Sequence, residues 1–391
     1  MLKFYRLASF LAISSVGLFA QVSAESSAGS RVAPAGQPVF KVVATPSPNQ
    51  PSPANNYLRS ISASSPTDIW AVGASVIHFD GQQWTGFSAP DMSGNGSNLL
   101  NGVADLSPGD VWAVGYINFG VPYTYQAPII EHFEGGEWTI FPSPQFPKPD
   151  EASLAAIVAI SPTNIWAGGD LFADPYSIPL IEHFNGTSWT QVEAPDSDCG
   201  VLGMSAEASD DVWAVGATLG GGGTCTLHYD GSAWQYLPSP NPGFGFNFLQ
   251  GVAALAPNNV WAAGWYTEQP DSDRPELTLI EHWDGTNWQI VPSPNVGMKG
   301  QVSNRLNGIV AVSAGDLWAF GQSSVIATSV GRNLALHWNG ARWQIVSTPD
   351  VKLKNLLNDD LLGGLVIPDG GLWIAGSDNV FDTLVLMAER Y

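Results

Sequence analysis

Short apolar runs rich in Val, Ile and aromatic residues cover most of the chain. Gly, Pro, Asp, Asn or Ser breaks each run, and no stretch sustains the period of an amphipathic helix. Residues 279–294, LIEHWDGTNWQIVPSP, show the arrangement most plainly. Two strand-like runs flank an Asp-Gly pair there, and a Pro-Ser-Pro exit closes them. Variants of this stretch recur along almost the whole sequence, so the chain is read first as a repeat. Each unit opens with an inner run such as LNGVADLSP at 100–108 or LQGVAALAP at 249–257. A DxWAVG-type run follows, centred on Trp70, Trp112, Trp166, Trp213, Trp261, Trp318 or Trp373. The third run carries a His and leads into a turn. The fourth opens on Trp84, Trp138, Trp189, Trp234, Trp288 or Trp343. Four β-prone runs in succession predict a four-stranded meander in each unit.

The connections distinguish the two ends of a unit. In all six full units the His of the third strand lies six residues before the Trp of the fourth. Between them sits Asp80-Gly81, Glu134-Gly135, Asn185-Gly186, Asp230-Gly231, Asp284-Gly285 or Asn339-Gly340. Such pairs supply the positive φ that a tight hairpin demands. The turn into the second strand is equally short, as in Ser65-Pro66-Thr67-Asp68, with Pro early and Asp late. The link from second to third strand behaves differently. Its Trp-to-His spacing is 8 residues in the first unit and then 20, 17, 15, 21 and 19. One face is therefore clipped to minimal turns and the opposite face carries the variation. The first unit has almost no second loop, so a notch is expected there between taller neighbours.

Counting units predicts how the ring closes. The seventh runs through Trp373-Ile374-Ala375-Gly376 to Glu389-Arg390-Tyr391, matched to Glu281-His282-Trp283, and lacks a fourth strand. Near the N-terminus, Phe40-Lys41-Val42-Val43 echoes Trp288-Gln289-Ile290-Val291. Phe40 to Trp70 is 30 residues, as are Trp288 to Trp318 and Trp343 to Trp373. The fold expected is all-β, a seven-bladed β-propeller of four-stranded blades closed by the N-terminal strand, which completes the last blade. It occupies residues 39–391, after a Pro-rich flexible lead-in at 25–38.

Composition narrows the partners. Lys3 and Arg6, the apolar run at 7–20 and Val22-Ser23-Ala24 read as a secretory signal at 1–24, so export is expected. A membrane anchor fits less well, because Ser14, Ser15 and Gly17 interrupt a run too short to span, and no later segment is long enough. Without the signal, 12 basic residues face 35 acidic ones, a net charge of −23. Nucleic acid is excluded as a partner, since phosphate contacts need clustered Lys and Arg. Cys199 and Cys225 fall in one unit, at strand starts that open on the variable face. A disulfide suits export and is preferred over two free buried thiols.

The WAVG and EHWxGxxW strings, over roughly residues 39–391, resemble repeats of secreted bacterial β-propellers. That resemblance implies the fold and no activity. The Asp-Gly hairpin followed by Trp is also similar to the Asp-box of sialidase-like propellers, with His in place of the opening Ser.

All six histidines, His78, His132, His183, His228, His282 and His337, fall at one repeat position. One lies in each blade, so they cannot converge on a single ion. A hydrogen bond to a neighbouring turn or blade is expected instead, with Arg390 in the last blade's place. The repeated tryptophans are expected to pack between blades, and Ala and Gly beside them let the sheets approach. Ligand candidates then come from the variable face. They are Trp265 and Tyr266, placed at the start of a loop, with Tyr116, Tyr123, Tyr125, Asp271 and Asp273 in loops. Arg59 and Arg305 open inner strands that face the axis. Aromatics beside carboxylates form a carbohydrate platform.

A sialidase-type site would need a third partner for Arg59 and Arg305, and Arg274 and Arg332 are loop candidates only. A calcium site at Asp271, Asp273 and Glu276 lacks EF-hand spacing, so no metal or cofactor is assigned. The function expected is binding of an extracellular polysaccharide or protein by a monomer, through the variable face. The alternative is a carboxylate-based glycoside hydrolase or lyase. If Trp265 is a free platform, Trp265→Ala weakens binding without lowering the melting temperature.

Overall fold

The computed structural model describes residues 39–46, 57–90, 97–119, 125–144, 151–173, 176–195, 197–218, 222–269, 275–328, 330–349, 360–367, 371–377 and 383–388. The signal and lead-in lie outside these, as do Tyr123, Asp271, Asp273, Arg274 and Arg390. The described residues form seven antiparallel four-stranded sheets and no helix. Blades 1 to 6 span 58–87, 97–141, 151–191, 199–236, 247–290 and 302–346. Blade 7 takes its first three strands from 360–388 and its fourth from Phe40–Val43. The ring is closed as the repeat predicts. Phe40 pairs with Ala388 and Val43 with Val385.

First strands of successive blades touch all the way round, blade 7 meeting blade 1, so they form the innermost ring. Second strands are buried along almost their whole length, as in Asp68–Gly73, because blades cover both their faces. That explains an unbroken apolar run where a half-exposed strand would alternate. The hairpin glycines adopt the conformation the turns require, Gly81 having a φ of 88°. The Asp80 carboxyl accepts the backbone N–H groups of Gln82 and Gln83, which holds it below the usual carboxylate range.

Tryptophans join the blades as expected. In every blade but the sixth the second-strand Trp meets the fourth-strand Trp of the following blade, as Trp70 with Trp138 at 5.4 Å, Trp213 with Trp288 at 5.6 Å and Trp261 with Trp343 at 6.0 Å between ring centroids. Trp373 meets Trp84 of blade 1 at 5.8 Å. Trp318 meets Phe40 edge-on at 5.6 Å, so the N-terminal strand supplies both backbone pairing and the missing aromatic. Edge-to-face pairs of this kind contribute about 0.5–1.5 kcal/mol each beyond area burial.

The last blade corrects one expected register. Trp373 pairs with Met387, so Met387, not Arg390, holds the position of the histidines. This register buries Val385 and Leu386 against the neighbouring strands. The three-residue slip implied by matching Arg390 to His282 would reverse every side chain on the strand.

Candidate functional site

The clipped face repeats from blade to blade. Each His pairs across the sheet with the second-strand Trp and stacks on it, at 4.3 Å in blade 1 and 3.9 Å in blade 2. Its Nε2 lies 2.6 Å from Asp68 Oδ1 in blade 1, 2.8 Å from Asp110 in blade 2 and 3.0 Å from Asp316 in blade 6. In blades 3 and 5 the partner is Asn164 or Asn259. There burial holds the His183 and His282 imidazoles below their ordinary range. The acid of DxW thus fixes the imidazole, and in blade 4 Asp211 Oδ1 also accepts Trp213 Nε1–H at 2.7 Å. These are structural triads, one within each of blades 1 to 6. Among the described residues no group of three or more His, Cys, Asp or Glu is arranged to hold a metal ion.

The loop-face end departs from this regularity at one level. A first-strand Leu lies opposite the Gly of the WAVG run in six blades, as Leu58 opposite Gly73 and Leu249 opposite Gly264. A Cβ on Gly264 would stand 1.9 Å from the Phe248 carbonyl oxygen, so only glycine fits. One step towards the loop face the paired residues differ in every blade. They are Leu99 with Tyr116, Ser153 with Asp170, Gly200 with Ala217, Phe248 with Trp265, Arg305 with Gln322, and Asp360 with Ser377. Tyr57 takes this place in blade 1, where its carbonyl accepts the N–H of Ala74.

This level gathers several of the sequence candidates into two groups. In the first, the Arg305 guanidinium is held through Nε and Nη2 by the two carboxylate oxygens of Glu276. Its Cζ lies 4.7 Å from the Trp265 ring centroid. Trp265 stacks on Phe248 at 4.5 Å and is 8% exposed. It belongs to the strand Asn259–Thr267, not to a loop, because pairing with Glu276–Trp283 continues three residues past the Gly. Tyr266 is in the same strand and half-buried, its phenol pushed up by burial and by Glu268. Asp360 accepts from Asn307 Nδ2 at 2.7 Å. Burial raises its carboxyl to about 6, with Arg305 and Asn307 opposing the rise.

In the second group, Arg59 donates through Nη1 to Asn101 Oδ1 at 2.6 Å, and Asn101 Nδ2 donates to the Leu154 carbonyl of blade 3. The Arg59 Cζ lies 5.5 Å from the Tyr57 ring centroid. Burial pushes the Tyr57 phenol up and Arg59 pulls it back, while Tyr116 adds to the rise. Tyr116 is buried in the second strand of blade 2. Tyr125 opens the third strand of that blade, opposite Phe119.

Sequence reasoning missed Tyr57, Asn101, Asn307 and Asp360, although each sits next to an aligned Leu. It also missed the Asn two places before that Leu. Asn98 donates to the Pro90 carbonyl, Asn247 to those of Gly243 and Gly245, and Asn304 to that of Val296, pinning the chain that enters each blade. The recurring Asn-x-Leu was the available signal. Cys199 and Cys225 form a disulfide between the first and third strands of blade 4, Cα to Cα 5.8 Å.

No family model and no curated protein matches the chain. Solved structures do. YCF48 bound to D1 peptide is similar over 89% of this chain and 96% of its own, with a TM-score of 0.55 and 16% identity. YCF48 from Cyanidioschyzon merolae is similar over 90% and 99%, with a TM-score of 0.54 and 14% identity. The WD40 β-propeller domain of Doa1 is similar over 86% and 94%, with a TM-score of 0.53 and 12% identity. The likeness is one of fold.

Proposed function

We propose that this chain is an exported binding propeller that holds an extended segment of an extracellular protein on its loop face. The observation that carries the proposal is the contrast between the two ends of the blades. At the clipped end one Trp–Asp/Asn–His pattern recurs in six blades. At the loop end, Tyr57, Arg59, Arg305 and Asp360, beside the buried rings of Tyr116 and Trp265, break the pattern with charged and polar groups where packing alone would be met by Leu and Gly. Function concentrates on variable segments held by a rigid frame. A fold of this kind is also seen with a peptide in YCF48 bound to D1 peptide.

A peptide fits better than a sugar at the inner level, because Phe248 and Arg305 already cover Trp265. The carboxylates there are engaged as well, Glu276 by Arg305, Asp170 by Ser153 and Asp360 by Asn307, which favours binding over a carboxylate-based hydrolase. An extracellular polysaccharide remains the second reading further out. Phe244 is 89% exposed beside Phe246 and the strand end carrying Tyr266, an aromatic surface open to stacking.

Immobilised protein challenged with culture medium and with a glycan array separates the two. A captured protein whose crosslinks fall on Tyr57, Tyr266 or their neighbours is the expected result. Crosslinks confined to the clipped face, or no ligand of either class above background, would overturn the proposal.

A further inference from the structure

Arg305 and Arg59 differ in one respect that bears on the ligand. Arg305 is neutralised by Glu276, with Asp360 close enough to act on it. Among the described residues Arg59 meets only neutral groups, the Asn101 amide oxygen and the ring and hydroxyl of Tyr57, and forms no ion pair. In a chain of net charge −21, a half-buried guanidinium without an acid is an exception. Removing a cation from water is costly unless an anion meets it. Blade 1 turns from its second to its third strand through Ala74 and Ser75 alone, whereas the other described second strands of blades 2 to 6 run on towards longer loops. The short turn implied by the 8-residue Trp70-to-His78 spacing sits beside Tyr57, whose carbonyl accepts the Ala74 N–H.

We infer that Arg59 is the receptor for a single carboxylate of the bound peptide segment, with Tyr57 beside it and Asn101 fixing the guanidinium from behind. The inference rests on the proposed loop-face binding and names the group recognised there. Asn101 occupies one N–H of the fork and the Tyr57 hydroxyl also acts on the guanidinium, and the remaining N–H groups are offered to a carboxylate. The protein's negative field disfavours any polyanion, so the ligand presents one carboxylate on a segment that is otherwise neutral or basic. Asn101 Nδ2 is committed to the Leu154 carbonyl, which orients its oxygen towards Arg59 and keeps the fork in place before the ligand arrives.

The probes are N-acetyl-glycylglycine as the free acid, the same peptide as its amide, and methyl glucuronide. Each is titrated into the full protein while the Arg59 Nε–H resonance is followed by NMR. The acid is expected to shift that resonance to saturation and the amide to leave it in place. Arg59→Gln, which can still donate to Asn101, should weaken the acid by about tenfold or more. Arg59→Lys, which keeps the charge without the fork, should fall between. Equal responses to acid and amide, or unchanged affinity in Arg59→Gln of native melting temperature, overturn the inference. A response to the glucuronide alone overturns the peptide assignment. The parent reading fails separately. If wild type captures no partner while the acid still titrates Arg59, loop-face peptide binding falls and the carboxylate site stands. If wild type and Arg59→Gln capture a partner equally, the carboxylate site falls and loop-face binding stands.

Discussion

At the scale of single residues, neighbours settle what composition leaves open. Trp265 is the clearest case. As a Trp outside the repeated positions it reads as a ligand platform, and its removal would then spare stability. In the structure it lies between Phe248 and the Arg305 guanidinium and is 8% exposed. Trp265→Ala is therefore expected to destabilise the fold by about 3–5 kcal/mol, read as a lower urea midpoint. A variant with an unchanged midpoint would restore the platform reading. The error has a physical source. The partners of Trp265 come from Phe248 and Arg305, in other strands, and nothing local to Trp265 announces them. His282 is the opposite case. Its role was legible because five other histidines share its offset from a turn and from a Trp.

Among elements, the interfaces between blades hold carboxyl groups whose cost depends on pH. Glu131 and Glu281, each just before a triad His on its third strand, are fully buried. Among the described residues no carboxyl oxygen of Glu131 or Glu281 has a close hydrogen-bond partner, although Ser239, which follows the preceding blade, acts on Glu281. Burial raises both to about 8 from an ordinary value of 4.5. Between those values the folded chain keeps protons that the unfolded chain releases, so stability falls as pH rises. The loss is at most about 1.4 kcal/mol per pH unit for each group, and it levels off above the folded value. Denaturation midpoints should drop steadily from pH 5 to pH 8, and Glu281→Gln should flatten the slope. A midpoint that rises over this range would show that these groups are ionised in the fold. The turns and the four-strand order were readable at this scale, since each recurs with fixed spacing. The partner of Trp373 was not. Aligning Glu389-Arg390 with Glu281-His282 honours chemical likeness, whereas burial of Val385 and Leu386 sets the register three residues earlier.

At the scale of the whole molecule, the ring depends on one short strand. Phe40–Val43 covers the outer edge of blade 7 and places Phe40 against Trp318. Deleting it uncovers the strand Thr383–Ala388, with its row of unpaired backbone groups, and one face of Trp318. A chain lacking residues 40–43 should associate or aggregate, seen as early elution in size-exclusion chromatography, while Phe40→Ala alone should stay monodisperse and melt lower. Elution of the shortened chain as a stable single species would mean that the other six blades hold the ring closed. Seven units and their closure could be counted from tryptophans because rotational repetition writes one pattern many times. The loop-face groups could not, because they are the positions where the pattern is absent and their partners sit in different blades.

The closing strand also imposes an order in time. Synthesis delivers Phe40–Val43 before any blade exists, and its partner Thr383–Ala388 arrives only after the other six blades. The earliest strand therefore waits through the assembly of six sheets, and the contact that locks the ring spans all of them. Contacts of such separation form slowly, since the intervening chain must be ordered before they are rewarded. Until that moment the nascent propeller is an open arc with two sticky ends, exposed to proteases and to pairing with other copies, and the final zipping of four residues converts it into a circle.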